Sequence, residues 1–306
     1  MIFRHLLQPL PQVEGPVHTK QTFLIMRKLW ALALVAMFLS TSCKKDDPLP
    51  GDGMIINHSS TDLSSIPDEW IVKAKATLHI AYGHTSHGSQ LTSGMTGLAE
   101  FKGDKYAWNN GGTGGALDLH DYAMSGDLGN PDFTNWEKET RNYLKDHPGV
   151  NVIIWSWCGQ VSGASEQNIN TYLDLMSGLE ADYPDVTFVY MTGHLDGTGV
   201  TGNLHIRNEQ IRNHCITYEK FLFDFADIES YDPDGIYYLD KNANDGCYYD
   251  SDNDGSRESN WAIDWQNSHT EGVDWYQCSS AHSQPLNANM KAYAAWHLWA
   301  RIAGWK

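Results

Sequence analysis

Strand signals alternating with helix signals predict an α/β protein whose central sheet is mostly parallel and covered on both faces. Three observations carry this reading. Residues 151–157 (Asn-Val-Ile-Ile-Trp-Ser-Trp) are nearly all apolar, as a strand buried on both faces must be. Ile169, Tyr172, Leu173, Met176 and Leu179 share one helical face behind Ser165, a residue type that caps helices. Each strong strand signal ends in polar residues able to do chemistry, which is where open parallel sheets place their ligands.

The elements follow in order. Residues 76–82 read as the first strand, ending at Gly83, and residues 91–101 as the helix after it. A short strand is expected at 105–108, and further strands at 151–157, 186–191 and 221–225. Helices are expected after Ser165 and over 203–215. A last helix over 287–303 places Met290, Tyr293, Ala294, Leu298 and Ile302 on one stripe and Trp296 and Trp299 in the core. No internal repeat is present.

The N-terminus reads as a targeting segment. Met26-Arg27-Lys28 begins a basic region, residues 29–39 are apolar, and Ser40-Thr41-Ser42-Cys43 follows. The cysteine gives residues 1–43 the look of a bacterial lipoprotein signal, with Met26 as initiator and residues 1–25 as an over-extended start. Lys44-Lys45-Asp46-Asp47 resembles the export tag of surface lipoproteins in Bacteroidetes-like bacteria. The apolar run is too short to span a bilayer, so membrane attachment is expected only through lipid on Cys43, at the outer membrane and cell surface. Residues 44–67 read as a flexible tether and 68–306 as one domain with a loop-rich insertion at 232–277.

The formal net charge is -17, and the segment before Cys43 holds four basic residues against one acid, so the exported chain is more acidic still. Such a surface repels phosphate backbones and argues against nucleic acid as a partner. Four cysteines remain beyond Cys43. Export permits disulfides, and Cys247 with Cys278 is the favoured pair because the two flank a loop-rich stretch; Cys158 and Cys215 read as buried residues.

Three polar clusters are expected to converge: Gly83-His84-Thr85-Ser86, Cys158-Gly159-Gln160 and Gly193-His194-Leu195-Asp196. A glycine-rich turn, Asn109-Asn110-Gly111-Gly112-Thr113-Gly114-Gly115, lies between the first two, and Ser279-Ser280-Ala281-His282 precedes the final helix. At these positions the chain resembles the SGNH (GDSL-like) hydrolase family. The Gly-Asp-Ser signature is replaced by Gly83-His84-Thr85-Ser86, the Gly-x-Asn-Asp block by Trp157-Cys158-Gly159-Gln160, and Ser279 stands where that family carries the acid of its Asp-x-x-His block.

That resemblance implies a flavodoxin-like α/β/α sandwich over residues 70–306. It makes Ser86 the nucleophile, His282 its base, and Gly112 and Gln160 oxyanion donors. Asp274, Asp196 or a backbone carbonyl would then orient His282. The expected activity is ester hydrolysis by an exported surface enzyme, acting on acyl groups of extracellular glycans or on an acylated small molecule. His84, His87, His194, Asp196, Trp155 and Trp157 are the expected substrate contacts, and the chemistry needs no cofactor.

Other readings stand beside it. Ser86 and His282 are also ordinary helix-capping types. His84, His87, His194 and His282 can supply nitrogens to zinc. A polysaccharide lyase would recruit His84, His194, Arg207 and Tyr190. Twelve Trp and fifteen Tyr suit a non-catalytic carbohydrate binder. Finally, Asp250-Ser251-Asp252-Asn253-Asp254-Gly255 resembles a calcium loop, with Asp250, Asp252 and Asp254 as ligands of a structural ion holding the insertion and Asp240, Asn242 and Asn244 in reserve; its twelfth position is Trp261 rather than Glu.

Overall fold

A computed structural model describes residues 54–306. The expected signal, the lipidation site and the first part of the tether lie outside them.

Seven strands form one sheet: β1 (Ile55–Ile56), β2 (His79–Gly83), β3 (Trp108–Asn109), β4 (Leu117–His120), β5 (Val152–Trp155), β6 (Thr187–Met191) and β7 (Leu222–Phe223). Their order is β1-β7-β6-β5-β2-β4-β3, and every neighbouring pair is parallel. Within it, β4-β2-β5-β6-β7 reproduces the 2-1-3-4-5 order of flavodoxin-like sheets.

The main helices are α1 (Asp68–Thr77), α2 (Ser89–Lys102), α3 (Asn135–Asp146), α4 (Glu166–Asp182), α5 (Asn203–Thr217), α6 (Phe225–Glu229), α7 (Trp261–Ser268) and α8 (Pro285–Ile302). Helix α8 packs on α1 and α2, while α4 packs between α3 and α5, giving two helical layers around the sheet. The fold class is therefore the expected α/β/α sandwich.

Local sequence explains the best-formed elements. In α4, Ser165 accepts from the Asn168 N–H and the Asn168 side chain returns the bond, a capping arrangement worth about 1 kcal/mol. Its buried residues are Ile169, Tyr172, Leu173, Met176 and Leu179, the predicted face. All four residues of β5 are buried. In helix α8 Trp296 and Trp299 are buried as expected, and the polar Lys291 and Asn289 are buried too, because neighbours cover the helix on several sides.

Other elements were not anticipated. Helix α1 takes Ala76 and Thr77 from the expected first strand. Helix α3 and strand β4 were not expected, although α3 buries Trp136, Thr140 and Leu144 at helical spacing and β4 alternates Leu117, Asp118, Leu119 and His120. Part of the expected tether is folded: Ile55–Ile56 extends the sheet beside β7, and Ile56 and Ile66 are buried. A two-residue strand carries no period to detect. Within the insertion, β8 (Tyr248–Tyr249) and β9 (Ser259–Asn260) form a separate antiparallel pair. Among the described residues no helix is long and apolar enough to cross a membrane.

The strand order fixes where a ligand can sit. From β2 the chain steps outward to β4, then returns past β2 to β5 and continues the other way through β6 and β7. The crevice at this reversal opens between the carboxyl ends of β2 and β5.

Candidate active site

Two glycines allow the β2 exit to close on its neighbour. A Cβ on Gly83 would stand 2.4 Å from the Trp155 ring, and one on Gly88 would stand 2.2 Å from Ser156 Oγ and 2.4 Å from His84 Cβ. Ser156 N–H donates to the Gly83 carbonyl at 3.0 Å, so the β2–β5 pairing continues into the loops. His84 is buried, with Nδ1 on the Thr85 carbonyl (2.8 Å) and Nε2 on Asp121 Oδ1 (2.7 Å). Thr85 Oγ1 donates to Asp127 Oδ2 at 2.5 Å. The exits of β2 and β4 are thereby tied together.

His87 is the hub of the site. Its Nδ1 lies 3.2 Å from Cys158 Sγ, and its Nε2 lies 2.9 Å from Asp245 Oδ2. Its ring stacks on His194 (centroids 3.6 Å apart, 5° between planes) and on His282 (4.4 Å, 19°). Cys158 is half-buried beside exposed Gly159. A thiol, an imidazole and a carboxylate in this sequence form a nucleophile, a base and the group that orients it. Burial lowers the pKa of His87, partly offset by its bond to Asp245, which favours the neutral ring a base requires. Burial alone would raise Asp245; the bond from His87 and the nearby imidazoles outweigh it and hold the carboxyl below its usual range.

The sequence expectations fare unevenly. Ser86 reaches this site, but its recorded partner is Cys158 Sγ at 3.7 Å, and no hydrogen bond joins it to His282 among the described residues. His282 is exposed, held at φ +63°, and covers His87 instead of pairing with Ser86. That conformation costs a non-glycine residue on the order of 1–3 kcal/mol. Gly112 packs against Asp118, whose strand partner is His79 at the start of β2, so it sits at the opposite end of β2 from Ser86. Its turn leads into β4 rather than out of it. Gln160 is close, but its amide donates to Asp127 Oδ1 (3.1 Å) and its carbonyl accepts from Cys158 N–H (2.9 Å). Both ends are committed to holding the loop.

Trp155 and Trp157 are 2% exposed, bonded to Thr140 Oγ1 and the Met191 carbonyl, and belong to the core rather than to a sugar-binding face. Asp196 accepts from Thr198 N–H and Oγ1 and bridges to Asn244 without reaching the histidines. Of the four-histidine zinc set, only His87 and His194 bring donor atoms together; His84 and His282 are outside that group. The lyase set is scattered as well: Tyr190 is buried near His214, and Arg207 bonds Gln210 on its own helix.

The acidic loop does converge. Asp250, Asp252 and Asp254, joined by Glu258, offer oxygens within 4.8 Å of one another. Asp250 is the anchor, its two oxygens accepting from the N–H groups of Asn253, Asp254 and Gly255. Asp240 is not part of this group. Cys247 and Cys278 are unpaired in this structure; Cys247 lies 3.4 Å from Ser283 Oγ, and Cys278 accepts from Asn289 Nδ2 at 3.4 Å. Burial pushes both thiols up to about 12.

Cys158 and Asp245 are the residues that sequence reasoning missed in their roles. A signal for Cys158 existed, since a cysteine directly after the most apolar strand falls at the sheet's reversal point. Asp245 had none, being 158 positions from His87 in a loop dense with acids. Comparison with protein-family models and with curated proteins yields no match to this chain.

Proposed function

We propose that this protein is an exported hydrolase that cleaves acyl bonds, with Cys158 as nucleophile, His87 as general base and Asp245 as the group orienting His87. The observation that carries the reading is the continuous Cys158–His87–Asp245 chain at 3.2 and 2.9 Å in the crevice beside β2 and β5. A neutral thiol is a poor nucleophile, and a base within hydrogen-bond reach supplies the thiolate.

In the proposed reaction the Cys158 proton passes to His87 Nδ1 as sulfur attacks the acyl carbon. The proton then moves from Nδ1 to the leaving oxygen as the carbon–oxygen bond breaks, leaving a thioester. Water attacks the thioester, giving its proton to Nδ1, and that proton returns to sulfur as the acid departs. Throughout, Asp245 accepts from Nε2–H and stabilises the transient imidazolium. Among the described residues the N–H groups of Ser86 and His87, in the turn before α2, have no recorded acceptor, and they are the candidate oxyanion donors.

The substrate class follows from the context expected of the chain: a surface lipoprotein anchored through Cys43 would meet acylated glycans outside the cell. Ser86 gives a second reading, favoured by its place at a strand-to-helix turn 3.7 Å from the sulfur. Aryl esters and acetylated glycans, assayed with Cys158→Ala and Ser86→Ala proteins of intact circular dichroism, separate the two. Cys158→Ala should reduce turnover by on the order of a thousandfold or more, and iodoacetamide should inactivate the wild type stoichiometrically. Full activity in Cys158→Ala with none in Ser86→Ala would return the nucleophile to the serine. Retention of activity in both variants would end the covalent reading.

A further inference from the structure

His194 stands out beside this site. It is 9% exposed, and its Nε2 is buried with no hydrogen-bond partner. Its Nδ1 lies 2.9 Å from the Leu195 carbonyl, so that nitrogen carries the proton and Nε2 presents a lone pair. A buried acceptor without a partner costs on the order of 1–3 kcal/mol. The residue is nonetheless held firmly. The Leu195 N–H donates to Glu229 Oε2 at 2.9 Å, and the Leu195 carbonyl also accepts from Asp245 N–H at 3.1 Å.

His194, His87 and Asp245 each offer one donor atom, all within 4.8 Å of one another. Two imidazoles and a carboxylate are a donor set suited to zinc and similar divalent transition ions. An N–H donating to a backbone carbonyl is also how metal-bound histidines are usually braced, and His194 has that brace already. Donors around one zinc ion stand roughly 3–3.5 Å apart, given bonds of about 2 Å. The two rings lie parallel, so each must turn out of the stack for both lone pairs to reach one ion.

We propose that His87, His194 and Asp245 form a binding site for a divalent transition-metal ion, and that occupancy switches the thiol site off. The regulatory half rests on the triad reading above; the binding half does not. As the ion takes Nε2, the single proton of the neutral His87 ring, until then shared with Asp245, moves to Nδ1 and none leaves to solvent. His87 then holds that proton on Nδ1, opposite Cys158. It can no longer accept a proton from the attacking water, so turnover stops.

The test uses Zn²⁺ alone, titrated calorimetrically into chelator-treated protein in buffers of different ionisation enthalpy, with Co²⁺ absorption as a second readout. Wild type and Cys158→Ser should each bind one ion with no net proton release, so that the binding enthalpy does not depend on the buffer. His194→Phe keeps a ring to stack on His87 but has no lone pair. It should lose more affinity than the roughly 10–100-fold that removing an outer partner costs. Absence of binding in the wild type, unchanged binding in His194→Phe, or loss of binding in Cys158→Ser would each overturn the assigned site. Zn²⁺ should abolish ester turnover, and a chelator should restore it; stoichiometric binding with undiminished turnover would sink the switch. If the metal-free protein neither hydrolyses esters nor reacts at Cys158, the triad reading fails while calorimetry still decides the metal site.

Discussion

At the residue scale the site depends on close approach. Gly83 lies against the Trp155 ring and Gly88 against Ser156, His84 and Tyr82, so neither position has room for a methyl group. Gly83→Ala and Gly88→Ala should each destabilise the protein by about 1–3 kcal/mol through overpacking. Gly88→Ala should in addition impair catalysis, because the methyl group displaces the turn that carries His87. Urea denaturation gives the first quantity and kcat the second; a fully stable, fully active Gly88→Ala protein would contradict this account of the turn. Gln160 illustrates a different lesson. An amide at the right place in the chain is not an oxyanion donor when its N–H already serves Asp127 and its carbonyl already serves Cys158.

At the element scale the insertion and helix α8 both support the site. The insertion delivers Asp245, fastened by the Asp245 N–H to the Leu195 carbonyl in the loop after β6. Helix α8 contributes Lys291, wholly buried, which donates to Glu229 Oε1 at 2.5 Å and also to Gln90. Burial lowers the Lys291 pKa, against the opposing pull of Glu229. Asn287 Nδ2 adds a third bond to the same carboxylate at 3.3 Å. Glu229 in turn fixes the Leu195 N–H beside His194. Lys291→Met leaves that carboxylate buried with much of its compensation gone, and should cost about 3–5 kcal/mol. Equilibrium unfolding checks the value; a change below about 1 kcal/mol would mean that the pair contributes little to holding α6, α8 and the β6 exit together.

At the scale of the whole molecule, stability should fall in mild acid. His297 is buried on α8, with Nε2 2.9 Å from the Asp62 carbonyl and 3.2 Å from Ser65 Oγ. His214 is partly buried on α5 beside Tyr190 and Tyr218. Burial is the leading cause of a lowered pKa at both. An unfolded chain, with histidines near about 6.5, therefore binds more protons than the native one between that value and the lower native values. The contribution of these residues is fully present above the unfolded value and is lost as the pH falls through the native ones. The melting temperature should drop on acidification through this window, and His297→Gln should flatten part of the drop. An equal pH slope in that variant would remove His297 from the explanation.

Several features were legible in the amino-acid sequence because they are local. The capping box at Ser165, the five-residue buried face of α4 and the apolar run of β5 follow from spacing within one element. So does the rule that polar residues following parallel strands meet at one edge, which groups the loops of Ser86, Cys158 and His194; His87, next to Ser86, is the residue that touches the other two. Strand β4 is only four residues long and helix α1 buries only Ile71 and Ala74, so their patterns are weak, whereas the i, i+4, i+8 spacing of Trp136, Thr140 and Leu144 made helix α3 readable in principle.

What the tertiary structure alone decided is which polar atoms face one another. Ser86 and Cys158 both border the same imidazole, yet Nδ1 of His87 meets the sulfur. Its other nitrogen meets an acid supplied by the insertion. Periodicity reports which side of an element is buried, whereas the pairing of donors and acceptors depends on loop paths at the sheet's reversal point. Those paths are set by contacts between residues far apart in the chain, here 71 and 158 positions, which no local pattern encodes.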